Sequence, residues 1–186
     1  MADAPFSSAQ AIADTRRWLE RAVIGLNLCP FAKAVHVRGQ VHFAVSASDD
    51  VPGVIESLDA EITDLLALEP AVRDTTLLVV PNGFDEFLLF HDLVRQGERL
   101  LARRKLAGVL QLASFHPAFV FAGANEDDMA NFSNRAPWPT LHLLREESMD
   151  RAVAAFPDAE LIYEANIRTL ERLGREGWLA LGARRS

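Results

Sequence analysis

Cysteine is nearly missing from this sequence. Cys29 is the single thiol among 186 residues, so no internal disulfide can form, and such usage fits a reducing cytoplasm. Long apolar runs are also missing, with none near the ~18–20 residues that span a membrane. The opening MADAPFSSAQAIADTRR has no basic head followed by an apolar core, so no secretory signal is expected. Positive charge is in deficit. Nineteen Lys and Arg face 26 Asp and Glu, for a net charge of −7 and a pI of about 5.2. A nucleic-acid binder shows a basic face, so nucleic acid is not an expected partner, although a local basic pocket for an anion stays open. There is no Gly-x-Gly-x-x-Gly, no P-loop, no His-x-x-x-His and no Cys-x-x-Cys. No cofactor and no zinc site are therefore expected. The run Asn125, Glu126, Asp127, Asp128 lacks the alternate spacing and glycine of a calcium loop, and is better read as the acidic first turn of a short helix. Repeats, low-complexity tracts and internal linkers are lacking too.

What is present suits one domain over residues 1–186. A hydrophobic content of 49% with 24% charge is ordinary for a globular protein with a real core. A first helix is predicted over residues 8–26. Ser7 and Gln10 have capping-box spacing, Ile12, Leu19, Val23 and Leu26 recur on one face, and Pro30 ends it. From residue 35 to 45 the odd positions are apolar (Val35, Val37, Val41, Phe43, Val45), predicting a half-buried strand, or a hairpin about Gly39, with His36 and His42 solvated. A helix follows from Asp50 or Val51, with Pro52 in its first turn and Pro70 beyond its end. Residues 75–80 read as a strand covered on both faces. Pro81-Asn82-Gly83 is a turn, and a helix from Asp85 ends in the cations Arg99, Arg103, Arg104 and Lys105. Strands over 109–114 and 140–144 flank a long loop. Helices over 146–156 and 158–173 follow, the second capped by Asp158 and ended by Gly174, with a tail frayed after Trp178. This alternation predicts an α/β layered single domain, an approximately four-stranded mixed or parallel sheet with helices packed on it. In a parallel sheet, ligands bind at the carboxyl ends of the strands.

Residues 108–147 organise the rest. About two dozen residues separate the two strands, past the ~12–15 at which a structureless connection becomes unusual. Phe115, Phe119, Phe121, Phe132 and Trp138 give that loop too much to bury for disorder, so it is expected to be ordered and to carry the site. His116, pinned before Pro117 at a strand end, is the candidate general base or ligand-binding imidazole. Its plainer alternative is a strand-end cap. Arg135 and Arg145 are the candidate guanidinium clamp for carboxylate or phosphate. Against this stand structural salt bridges, such as Arg145 with Asp127 or Asp128. Asn134 is placed with the catalytic group as a polar orienter, and Trp138 and His142 with the substrate-binding one. Cys29 is a weaker nucleophile candidate. A thiol just past a helix C-terminus sits at the negative end of the dipole, where it stays protonated, so an inert, buried cysteine is the favoured expectation.

Three stretches carry a resemblance: Asn27-Leu28-Cys29-Pro30-Phe31-Ala32, Ala113-Ser114-Phe115-His116-Pro117, and residues 134–146, NRAPWPTLHLLRE. Together they resemble the bacterial family called domain of unknown function 1415. That resemblance implies a single-domain protein of cytosolic type and supplies no catalytic residues. From the residues alone, two functions are expected. One is a small hydrolase or transferase acting on a small anionic substrate in a pocket built from residues 114–145. The other is a non-catalytic module that binds a metabolite or partner in the same pocket.

Overall fold

The computed structural model describes residues 7–155 and 159–186. Helix α1 spans Ser8–Trp18, with the Ser7 hydroxyl accepting the Gln10 N–H at 3.1 Å as its spacing foretold. It continues as a π-helical segment, Leu19–Ile24. There Gly25 N–H bonds to Glu20 O and Leu28 N–H to Val23 O, five residues back. Asn27, at φ 54°, then turns the chain before Pro30 is reached. Widened turns of this kind recur at functional sites.

The first correction concerns residues 35–45. Val35 and Val37 lie in a short helix, α2, Ala32–Val37, and only Val41–Val45 forms strand β1. Apolar odd positions alone cannot separate a strand from a helix that ends at Gly39, which reverses the chain at φ 72°. Val37 is consequently 75% exposed. His36 meets Glu20 and His42 lies near Glu61, so the two histidines sit on different elements.

Helix α3, Val51–Ala67, is capped by Asp50, whose carboxylate accepts the Gly53 N–H. Strand β2, Thr75–Val79, is buried throughout. Helix α4 covers Phe87–Arg103 and strand β3 Leu110–Phe115. The long loop holds a 3-10 segment, Met129–Asn134, capped by Asp128. Strand β4 is Thr140–Arg145, α5 is Glu146–Ala155, and α6 is Ala159–Ala180 with a kink at Gly174. The cap expected at Asp158 and the helix end at residue 156 lie outside the described residues.

The sheet is mixed, ordered β1-β2-β4-β3. Strands β1 and β2 pair in parallel across the α3 crossover, while β4 inserts antiparallel between β2 and β3. Helices α3 and α4 cover one face. Val54, Leu58, Ile62 and Leu65 of α3 are wholly buried there against Leu78, Leu141 and Leu143. At ~1.5–3 kcal/mol each, those four side chains contribute about 6–12 kcal/mol before chain entropy. The other face receives α1 and α6, with Trp18, Leu19, Ala22, Leu170 and Trp178 in a second cluster.

The second correction concerns the tail. Residues 178–186 do not fray. Ala183 is buried, the Arg185 guanidinium stacks on Trp138 at 4.1 Å, and Ser186 bonds to Asp14. Asp14 is itself fully buried and also accepts from Trp138 Nε1, Gln10 and Arg17. A carboxylate in that position needs donors from every side, and the tail supplies two of them.

Candidate functional site

The alternation of the strands places one side chain in two on the α1 face. These are Val41, Thr75 and Leu77, then Ala113 and Phe115, then His142 and Leu144. The register sets His142 of β4 between Leu77 of β2 and Ala113 of β3. Above this floor lie Trp18, Leu19 and Val23 from the first helix, Cys29 and Phe31 from the turn, and Ala32 and Val35 from α2. Met149 and Ala152 of α5 close one side. The layers do not meet, and a cavity of about 280 Å³ remains between them, the room of about nine water molecules at ~30 Å³ each. Its wall is almost all carbon. Polar groups gather at one end, where the Ser148 hydroxyl donates to Asp74 at 2.5 Å and Arg145 forms part of the rim.

His142 and Thr75 are the polar side chains on the cavity floor. His142 Nε2 lies 2.6 Å from Thr75 Oγ1, which lies 2.6 Å from the Leu143 carbonyl oxygen. A carbonyl only accepts, so the Thr75 hydroxyl donates to Leu143 and Nε2–H donates to Thr75. The reverse tautomer would leave two lone-pair oxygens 2.6 Å apart with no proton between them. Nδ1 is therefore the acceptor, and among the described residues it has no hydrogen-bond partner. Burial pushes the His142 pKa down to about 4, because an imidazolium there would lose its hydration. At neutral pH the ring is an uncharged acceptor in the lining of an apolar space. Trp18, which packs edge-on against Phe115 at 4.9 Å, keeps a buried indole N–H that has no acceptor among the described residues. Cys29 is partly buried in the wall, and among the described residues its thiol makes no hydrogen bond.

His116 lies elsewhere. It is fully buried at the opposite end of the sheet, stacked on Phe90 at 5.1 Å. Nε2–H donates to the Phe84 carbonyl at 2.9 Å, while Nδ1 accepts the Ala118 N–H at 3.0 Å. Burial lowers its pKa, opposed by the Phe84 carbonyl. Both nitrogens are spent on backbone, so the geometry is that of the strand-end cap. Asn134 joins the same turn, donating to Ser114 O and receiving the Ser133 hydroxyl, while its own carbonyl accepts the His116 N–H. Arg145 faces backbone too. Its Nη2 donates to Leu65 O at 2.5 Å and Leu68 O at 2.6 Å, closing the last turn of α3. It pairs with neither Asp127 nor Asp128; Arg175 takes Asp127 instead. Arg135 holds the long loop through Phe119 O and Glu126 O and stacks on Phe132. Burial, with Arg175 nearby, lowers its pKa. Trp138 is a buried anchor on Asp14. The structure thus brings Cys29, His142 and Arg145 to one cavity and leaves His116, Asn134, Arg135 and Trp138 outside it. Sequence reasoning missed Thr75 and Trp18. The only signal for Thr75 was a pair of hydroxyls, Thr75 and Thr76, opening an otherwise apolar strand.

The sequence matches the family described as protein of unknown function (DUF1415) over residues 10–180. The chain belongs to that family. No curated protein and no solved structure matches it. In this DUF1415 chain the three stretches that carry the resemblance each supply cavity wall. Cys29, Phe31 and Ala32 come from the first, Ala113 and Phe115 from the second, and His142, Leu144 and Arg145 from the third. Among the described residues no three metal-ligating side chains converge, and no helix is long and apolar enough to cross a membrane.

Proposed function

We propose that this protein is a non-catalytic binding module for a small, mostly apolar molecule that carries one hydrogen-bond donor. The observation that carries the proposal is the neutral His142 ring, with Nδ1 unpartnered among the described residues, on the floor of an apolar cavity. Such a site gains ~25 cal/mol per Å² of apolar ligand surface removed from water. This acceptor on the floor selects among ligands, since a donor that reaches it adds ~0.5–1.5 kcal/mol. Its pKa near 4 is poorly matched to proton transfer at neutral pH, and the Thr75 hydroxyl is committed to a carbonyl, so binding is favoured over hydrolysis or group transfer. The anionic-substrate alternative needs Arg135 and Arg145 together. They line separate depressions, and Arg145 is engaged by helix-end carbonyls. A cytoplasmic setting agrees with the lone unpaired thiol.

The experiment compares 2-naphthol with 2-methylnaphthalene, which has the same shape without the donor. Both ligands should raise the melting temperature with concentration. The naphthol should bind about two- to tenfold tighter, and His142→Leu should abolish that difference. If neither ligand shifts the transition, or if the preference survives His142→Leu, the proposal fails.

A further inference from the structure

A second depression lies across the molecule, between the turn that follows the 3-10 segment and the end of α6. Its volume is about 370 Å³, and it is more open than the cavity under α1. Four guanidinia line it, Arg135, Arg175, Arg184 and Arg185, with no acidic residue in the lining. On a chain of net charge −7 this is a local reversal of sign. Two of the four have a carboxylate outside the groove. Arg175 meets Asp127 at 2.6 Å, and Arg185 meets Asp85 at 2.7 Å. Among the described residues, Arg135 and Arg184 have no ion-pair partner.

The positions are built rather than casual. Arg135 is partly buried and held by two backbone carbonyls, which fix the fork without neutralising it. Arg135 and Arg175 lie over the same ring, Phe132, at 4.3 and 5.7 Å from its centre. Arg185 is stacked on Trp138. Arg135 and Arg185 spend Nε and Nη2 on Phe119 O and Glu126 O and on Pro137 O and Asp85, and Arg175 spends Nη2 on Asp127, so each keeps its Nη1 N–H groups, while Arg184 keeps its whole fork among the described residues. Two like charges sharing one aromatic ring repel each other; Asp127 offsets this from outside the groove, and an anion inside it would offset it further.

We infer that this groove is a second ligand site, independent of the apolar cavity, for a small organic oxyanion bearing phosphate or paired carboxylates. Arg184 supplies a bidentate grip on the oxyanion, the remaining N–H groups of Arg135, Arg175 and Arg185 add single hydrogen bonds and charge, and Phe132 and Trp178 give its carbon body an apolar floor.

Calorimetric titration of the whole protein with phenyl phosphate and, separately, phthalate tests this at about 50 and 200 mM salt. At least one probe is expected to bind with a Kd below roughly a millimolar, more weakly at the higher salt. Arg175→Gln and Arg184→Gln should each weaken it about tenfold. The Arg184 side chain makes no bond within the described fold, so its variant should fold even if that at Arg175 does not. Arg95→Gln, which removes an exposed arginine on α4 paired with Asp92, should leave binding unchanged. A preference for phenyl phosphate assigns the groove to phosphate esters, and one for phthalate assigns it to dicarboxylates. Absence of binding by both probes, or an equal loss in the Arg95 variant, overturns the inference.

Discussion

Filling the cavity under α1 should stabilise the protein and remove the proposed ligand site in one step. Ala113 is the position to change. It faces the cavity from β3, an edge strand, directly opposite His142. Ala113→Leu adds three carbons to a space of about 280 Å³, so overpacking is not expected. At ~0.8 kcal/mol per buried methylene the gain is about 2.4 kcal/mol. Fixing a leucine rotamer costs ~0.5–1 kcal/mol, leaving about 1.5 kcal/mol. For a domain of this size that corresponds to a rise of ~3–6 °C in Tm. Differential scanning calorimetry measures the shift, and titration with 2-naphthol on the same sample should show affinity reduced at least tenfold. Gln111→Leu, on the same strand but exposed and outside the cavity, is the control, expected within ~0.5 kcal/mol of the parent. Refutation is an Ala113→Leu protein that is less stable than the parent and still binds the naphthol, since the space would then not lie where the strand register puts it.

Arg145→Gln should cost about 2 kcal/mol in urea unfolding, because the Leu65 and Leu68 carbonyls lose a charged donor. Naphthol affinity should be retained; unchanged stability with lost binding would return Arg145 to an anion clamp. Asp14→Ala should cost about 2–3 kcal/mol, since it strands the Trp138 N–H and releases the tail. Limited proteolysis should then cut after Trp178. Stability should also fall in acid. The His142 pKa is about 4 in the fold and ~6.5 in the unfolded chain, so the unfolded chain takes up the proton first. The contribution is complete above pH ~6.5 and is lost as pH drops towards 4, by at most about 3 kcal/mol. His142→Leu should flatten that slope, which urea midpoints across this range would measure.

Much of the fold was legible because its signals are local. The Ser7 and Asp50 caps, the apolar stripe of α3 and the buried run of β2 need no distant partner to be read. Strand parity also put His142 on the face opposite Leu141 and Leu143, which is where the cavity lies. The failures are non-local. Whether β4 pairs in parallel or antiparallel depends on the path of a long loop, and that path turns on Asn131, buried and bonded to Phe121 and Asn125. His116 was placed correctly at a strand end, but nothing in the sequence says that Phe84 and Ala118 would take both its nitrogens. Arg145 spends its charge on carbonyls of a helix far away in sequence. The tail is ordered by Asp14, at the other end of the chain. The site followed the same division: its floor was readable from strand alternation, whereas its roof depended on a π-helical segment and on α2, misread as strand.

The space between α1, α2, α5 and the sheet is proposed to receive a small apolar molecule through His142 Nδ1, which has no hydrogen-bond partner among the described residues. A crystal structure of the protein grown with 2-naphthol tests this most directly. Electron density for the ring system is expected between Leu77, Ala113 and Val23, with the hydroxyl donating to His142 Nδ1 and the Nε2–Thr75–Leu143 chain undisturbed. Naphthol bound elsewhere, or a cavity closed over by Trp18 and α5 with no ligand inside, would contradict it.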